Sequence, residues 1–239
     1  MLFSLALLSS LSACADDGEL PVLPAGGEPS APAASTPARI ASTVCAVSDL
    51  STRACTTGNV AGLTVTAGGV ATTTDAVGRF ELTLPAGTTT TDVTVTGANI
   101  TPTTRPVTLA DGAAVIPAID AQIYQQMLAN TGLVFGSNTG ALLTTVGVDG
   151  APVSDFNITT NPAAPFGAFF ESTTPVNWST DGNGQRGVAW IPGLTVGSYD
   201  LSYDMIAGGL ETNVDGVQVR NGGVTILDTS LTSSPSGNL

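Results

Sequence analysis

The chain has 239 residues, 42% hydrophobic and only 10% charged, with a formal charge of −13. It is rich in Thr, Gly, Val and Ala, a balance that is globular, leaves room for two domains of about 100 residues, and favours short strands joined by turns. All six basic residues are Arg and there is no His, which excludes imidazole general bases, Ser-His-Asp and Cys-His catalysis, His-ligated zinc and lysine Schiff bases, while the lack of a basic stripe makes nucleic acid an unexpected partner.

Leu2 to Leu11 is an apolar run of ten residues that ends in Leu11-Ser12-Ala13-Cys14. Such a run is half the length of a bilayer-spanning helix and fits the hydrophobic segment of a secretory leader. Leu-Ser-Ala-Cys resembles the lipobox of bacterial lipoproteins, which implies a signal peptide over 1–13 and lipidation of Cys14. No Lys or Arg precedes the apolar run. Two other readings stay open: Ala13-Cys14-Ala15 also spells an A-x-A cleavage site, which would release a secreted protein, and the leader could be retained uncleaved. An acylated cysteine buries enough methylene groups for stable membrane anchoring. Ala15 after the cysteine, in place of Asp, implies outer-membrane sorting in a Gram-negative cell. Residues 14–37 then form a disordered linker of Pro, Ala, Gly, Ser and acids with little to bury.

From 38 to 117 the pattern is strands throughout, with candidates at Ile40–Val47, Leu63–Ala67, Val70–Thr74, Arg79–Leu84, Asp92–Thr96 and Arg105–Leu109. Leu63 with Val65, and Val93 with Val95, alternate as half-buried strands do, and Gly58, Gly62, Gly68, Gly78 and Gly87 punctuate them. Asp75-Ala76-Val77-Gly78 reads as a tight turn, with Asp bonding the backbone ahead and Gly supplying positive φ. Ala61-Gly62-Leu63-Thr64-Val65, Thr74-Asp75-Ala76-Val77-Gly78-Arg79-Phe80 and Leu84-Pro85-Ala86-Gly87 together resemble the carboxypeptidase regulatory-like domain. That resemblance implies a transthyretin-like β-sandwich of about seven strands and an accessory role without catalysis. The family's usual Tyr after the Pro-x-Gly turn is replaced here by Thr88 to Thr91. Cys45 and Cys55 are the cysteines left after lipidation. In an exported protein they most simply form a disulfide, against reduced or metal-bound thiols, and its closure contributes about 2–3 kcal/mol on the chain-entropy model.

Residues 118–131 carry helical spacing. Ile119, Ile123 and Met127, joined by Tyr124 and Leu128, share a face expected to pack between the two sandwiches. Pro117 suits the helix start, and Asn130 or Gly132 its end. A second sandwich is expected over 132–239, with strands at Leu133–Gly136, Leu142–Val148, Phe156–Thr159, Gly167–Ser172, Gly187–Ile191, Tyr199–Tyr203, Gly216–Val219 and Val224–Leu231. Val188-Ala189-Trp190-Ile191-Pro192-Gly193 and Gly197-Ser198-Tyr199-Asp200-Leu201 repeat the first domain's pattern and restore the Tyr, whose ring should turn inward and whose hydroxyl should bond a nearby turn.

Between these pieces lie Phe166, Phe169, Phe170 and Trp178, with Trp190 close behind. Adjacent Phe169 and Phe170 cannot both face one core from one strand. An exposed aromatic here could stack on sugar rings or anchor a protein partner; the plainer expectation is that the segment folds over the sandwich and buries its own rings. Asp181 and Asn183 resemble the start of a calcium loop, but Arg186 and Pro192 stand where an EF-hand needs Gly and Glu, so a tight turn is the expectation. No cofactor is implied, and an intramolecular Lys–Asn isopeptide bond is excluded for want of lysine.

The sequence thus predicts an all-β chain: two tandem transthyretin-like or Ig-like sandwiches joined by a short helix, after a signal peptide and linker. The expected role is a non-catalytic cell-envelope lipoprotein, structural or protein-interacting, with the membrane as one partner and an envelope protein or polysaccharide as another. The alternative is a carbohydrate-binding lipoprotein using Phe169, Phe170 and Trp178.

Overall fold

A computed structural model describes residues 36–51, 54–56, 58–111, 115–172, 177–180, 186–206 and 209–233. The expected leader, Cys14, the expected linker to residue 35, and Asp181 and Asn183 with their expected turn lie outside them. The chain is all-β with one short α-helix among the described residues.

The first half comprises β1 (Ala38–Asp49), β2 (Ala54–Thr56), β3 (Thr64–Ala67), β4 (Val70–Thr73), β5 (Arg79–Leu84), β6 (Thr90–Gly97), β7 (Ile100–Thr108) and β8 (Ile116–Asp120). Helix α1 (Ala121–Thr131) follows. The second half comprises β9 (Thr139–Val148), β10 (Ala151–Pro152), β11 (Phe156–Asn161), β12 (Phe169–Glu171), β13 (Trp178–Ser179), β14 (Val188–Thr195), β15 (Gly197–Met205), β16 (Leu210–Val219), β17 (Val224–Ser230) and β18 (Thr232–Ser233).

Alternation places the first core. On β5, Phe80, Leu82 and Leu84 are buried while Arg79, Glu81 and Thr83 are exposed. They meet Val65 and Ala67 of β3, Val93 and Val95 of β6, and Ile40 and Val44 of β1. The Asp75 turn works as its sequence predicts. Asp75 Oδ1 accepts from the backbone N–H of Val77 at 2.9 Å and Arg79 at 2.8 Å. Gly78 closes it at φ +82°, and any Cβ there would lie 2.5 Å from the Val44 carbonyl.

The second half has two layers. The four-stranded sheet β11-β15-β16-β18 covers one face of the β12-β14-β9-β17 layer. Phe156, Phe170, Leu142, Val146, Ile191, Leu201, Tyr203 and Val219 fill the space between. Tyr199 turns its ring inward, and its hydroxyl donates to the Thr195 carbonyl at 3.1 Å.

The halves are not beads on a string. Among the described residues one hydrogen-bonded path runs β13-β12-β14-β9-β17-β7-β6-β3-β4 across both. β17 lies parallel to β9 along its whole length and parallel to β7 at Val224–Thr103 and Thr225–Thr104. The layer around β9 is therefore buried on both faces. Its outer face carries Ala141, Leu143, Val188, Trp190, Val224 and Ile226, and it packs against Cys45, Val47, Leu50 and Ile119 of the first half and Met127 of α1. A strand buried on both faces reads as a continuous apolar run. Seven consecutive residues of β14, Val188 to Leu194, are buried.

The helix expectation needs two corrections. It begins at Ala121, capped by Asp120, whose carboxylate accepts from Gln122 N at 2.8 Å. Pro117 instead lies in β8, where 116–119 run parallel to β1, so Ile119 reaches the expected cluster from a strand. Ile123, Tyr124 and Leu128 pack there from the helix as predicted, and Gly132 ends it in the left-handed conformation. Leu133–Gly136, expected as a strand, is irregular. Leu133 and Phe135 spend their apolar surface on this same cluster rather than on a strand face.

Candidate functional site

The site that organises the molecule is the seam between the halves, and it is built from three parts: a core, a strand pairing and a set of ion pairs.

Trp190 is the centre of the core part and is fully buried. Tyr124 of α1 meets it edge-on at 6.1 Å between ring centroids, and Phe135 does so at 6.2 Å. Phe169 and Trp178 lie against it at 5.9 and 5.7 Å. Burial pushes the Tyr124 hydroxyl pKa up to about 12. The indole N–H groups of Trp178 and Trp190 are buried with no hydrogen-bond partner among the described residues.

This cluster absorbs the aromatic segment. Phe170 is 5% exposed and stacks edge-on with Phe156 at 5.3 Å in the inter-sheet core. Phe169, its neighbour, faces the seam core instead. Phe170 is buried and Phe169 half-buried because the layer they belong to has a core on each side. Trp178 is half-buried on the edge strand β13. Phe166 remains 45% exposed, resting on Phe135. A sugar-stacking surface built on Phe170 would have to unpack that core first.

Arg105–Asp228, Arg220–Asp92 and Arg186–Asp49 join residues more than 120 positions apart, while Arg186–Glu171 spans 15. Arg105 of β7 contacts Asp228 of β17 at 2.8 Å, and Asp228 also accepts from Thr145 Oγ1 at 2.7 Å. Arg220 contacts Asp92 of β6 at 2.8 Å. Arg186 makes the most enclosed set. Its Nη2 donates to both Asp49 oxygens at 2.7 Å and contacts Ser51 Oγ, while its Nε reaches Glu171 Oε2 at 3.2 Å. The Glu171 side chain is 0% exposed and Arg186 20%. The hydrogen bond to Asp49, before any other influence, holds the Arg186 guanidinium above its usual pKa. These long-range pairs leave no mark in a sequence pattern, so sequence reasoning missed them; the scarcity of cations was the available hint.

Close backbone approach completes the seam. A Cβ on Gly140 would lie 2.2 Å from the Arg220 carbonyl, and one on Gly223 would lie 3.0 Å from the Pro102 carbonyl. Cys45 and Cys55 are disulfide-bonded, with Cα atoms 5.3 Å apart, and tie β2 to β1 where Cys45 enters the seam core. Cys14, Asp181 and Asn183 lie outside the described residues. Among the described residues no helix is long and apolar enough to cross a membrane, and no group of three or more metal-ligating side chains converges. A groove of about 410 Å³ runs along the seam between β7 and β16, lined by Arg105, Val107, Asp215, Val217 and Leu227.

No family model and no curated protein matches the chain. Solved structures similar to it include a minor pilin of Streptococcus agalactiae, at 13% identity, a TM-score of 0.27, and coverage of 84% of this chain and 98% of that one. The shaft pilin SpaA of Lactobacillus rhamnosus GG is similar at 10% identity and a TM-score of 0.26, covering 83% and 99%. The Bacillus anthracis TIE protein is similar at 15% identity and a TM-score of 0.25, covering 82% of this chain and 34% of that one. The all-β assignment rests on the strand pairing of this chain and not on these likenesses.

Proposed function

We propose that this chain is a non-catalytic structural module of the cell envelope: a single stiff β-body, lipid-anchored through Cys14 at the outer membrane, that holds its surface loops at a fixed separation for a protein partner. The observation that carries this reading is the doubly buried β9-β14-β17 layer, which makes two sandwich-like halves one body. A spacer must resist bending at its middle, and here the middle is a packed core closed by Arg–Asp pairs instead of a linker. The residue types support it as well, since a chain without His or Lys is poorly equipped for acid–base or covalent catalysis.

The rigid-body part is tested by scanning calorimetry of the full chain. One transition is expected, with equal calorimetric and van't Hoff enthalpies of about 140 kcal/mol for roughly 200 ordered residues. Two resolved transitions would overturn it. The anchor is tested by growing a Gram-negative host on labelled palmitate. Label should appear in the outer-membrane fraction of the parent and disappear from a Cys14→Ala chain; an unlabelled parent released to the medium would show simple secretion instead.

A further inference from the structure

β11 ends the four-stranded sheet, and among the described residues it pairs with β15 alone. The ladder fixes which of its backbone groups point outward. Ile206 N donates to the Asp155 carbonyl at 2.9 Å, so this is a hydrogen-bonded pair, and every second pair after it is bonded likewise. Asn157, Thr159 and Asn161 therefore turn their N–H and C=O groups towards Asp204, Ser202 and Asp200 of β15. Phe156, Ile158 and Thr160 turn theirs to the other edge, where no backbone hydrogen bond among the described residues takes them up.

That edge borders a groove. A cavity of about 380 Å³ touches Asn157, Ile158 and Phe166, and one of about 200 Å³ touches Ile158, Thr159 and Thr160. Consecutive strand residues face opposite ways, so cavities lined by both kinds run along the strand's edge and not beneath one face. Ala168 lines both cavities, which adjoin there, and no charged residue lines either. The smaller one also holds Thr160, whose hydroxyl oxygen is buried with no hydrogen-bond partner among the described residues. Proteins blunt sheet edges with charge, proline, bulges or extreme shortness. β11 has six uncharged residues, no proline and a regular register. The strands at the other sheet ends, β4, β13 and β18, have four, two and two residues.

We propose that β11 is a docking edge for an extended segment of a protein partner whose residues alternate apolar and basic. Outward-pointing N–H and C=O groups at strand spacing are matched by another extended backbone, and side chains on the core side of that backbone enter the two cavities. Its other side chains lie beside Asn157, Thr159 and Asn161. One strand further, Asp200 and Asp204 are exposed on β15. Two strand spacings are about 10 Å, comparable with the Debye length at 0.1 M salt, and a lysine or arginine stem shortens that gap. β11, β15, β16 and β18 carry no basic residue of their own. The inference rests on the protein-partner part of the function proposed above and names that partner's chemistry.

The test uses the full chain at about 0.1 M salt and three blocked heptapeptides: alternating Lys and Val, alternating Glu and Val, and the Lys–Val sequence with every amide N-methylated. The Lys–Val peptide should bind at least about tenfold tighter than either of the others. By NMR, the groove-facing amides of Ile158 and Thr160 should exchange at least about tenfold more slowly when it is bound. Thr160→Pro removes one groove-facing donor, leaves the β15 ladder its bonds, and should weaken binding at least about fivefold. Equal binding of the methylated peptide would show attraction by charge alone and overturn the proposal. Failure of the Lys–Val peptide to bind would overturn it too, as would protection on β4 in place of β11. Should Thr160→Pro fail to fold, the methylated peptide and the exchange pattern decide. None of these results alters the number of calorimetric transitions, so the docking edge and the rigid body can fail separately.

Discussion

Replacing Arg186 by Met keeps most of the aliphatic stem and removes the guanidinium that faces Asp49 and Glu171. Breaking a fully buried pair by deleting one partner costs about 3–5 kcal/mol. Here Glu171 is completely enclosed, but Arg186 and Asp49 are 20% and 25% exposed, so solvent relieves part of the loss and the expected cost is about 2–4 kcal/mol. The internal control is Arg220→Met. That arginine is 51% exposed in its pair with Asp92, and removing it should cost no more than about 1 kcal/mol. Urea unfolding at neutral pH, followed by the fluorescence of Trp178 and Trp190, gives both numbers on one scale. Their difference should exceed about 1 kcal/mol, with the slope unchanged. Adding Glu171→Gln to Arg186→Met should recover part of the loss, because a neutral amide tolerates burial where a carboxylate does not. Equal costs for Arg186→Met and Arg220→Met would refute the claim that the enclosed carboxylate makes this ion pair different.

Three further outcomes follow from the same geometry. Tyr124 has its pKa raised from 10.0 to about 12 by burial; its contribution is intact below pH 10 and is lost as pH rises towards 12, since the unfolded chain ionises first. Unfolding free energy should therefore fall by about 2–3 kcal/mol between those pH values, less in a Tyr124→Phe chain. Gly78→Ala should cost about 2–3 kcal/mol, because it meets both a positive φ and the Val44 carbonyl, whereas Gly87→Ala, at the same φ of +82° with nothing within 4 Å, should cost about 1 kcal/mol. Trp190→Ala should cost about 3–5 kcal/mol in chemical denaturation and Phe166→Ala no more than about 0.5 kcal/mol, the contrast between a seam centre and an exposed neighbour.

The first half was the more legible part of the sequence. Its strands alternate because each sheet has one wet face, so Phe80, Leu82 and Leu84 announce their own burial, and the Asp75 turn announces its geometry through Asp and Gly. The second half hides its architecture for a physical reason. When both faces of a strand are covered, periodicity vanishes, and Val188 to Leu194 carry no sign of which residue faces which core. The same double coverage is why Phe169 and Phe170 found separate homes. Ile119, Ile123 and Met127 share helical spacing, which predicts a helix from residue 118, yet a parallel partner far earlier in the chain claims Ile116 to Ile119. Pairings at such separation, like those of β17 with β7 or Arg186 with Asp49, depend on topology and have no local signature. The seam therefore has no local mark in the sequence beyond its aromatic residues, Cys45 and the apolar helix face.

The choice of cation at the seam has its own logic. Arg186 bonds two carboxylates at once, Asp49 through one end of the guanidinium and Glu171 through Nε. A planar fork does this with its donors already oriented, whereas a lysine ammonium would be a strongly hydrated point charge unable to span both positions from one place. With 19 carboxylates against six arginines, most acidic groups have no cation to pair with and must stay in water. Committing Arg105, Arg186 and Arg220 to the line between the halves puts three of those six where self-repulsion would otherwise push the lobes apart. For a chain this acidic, the seam is where a positive charge does most to hold one body together.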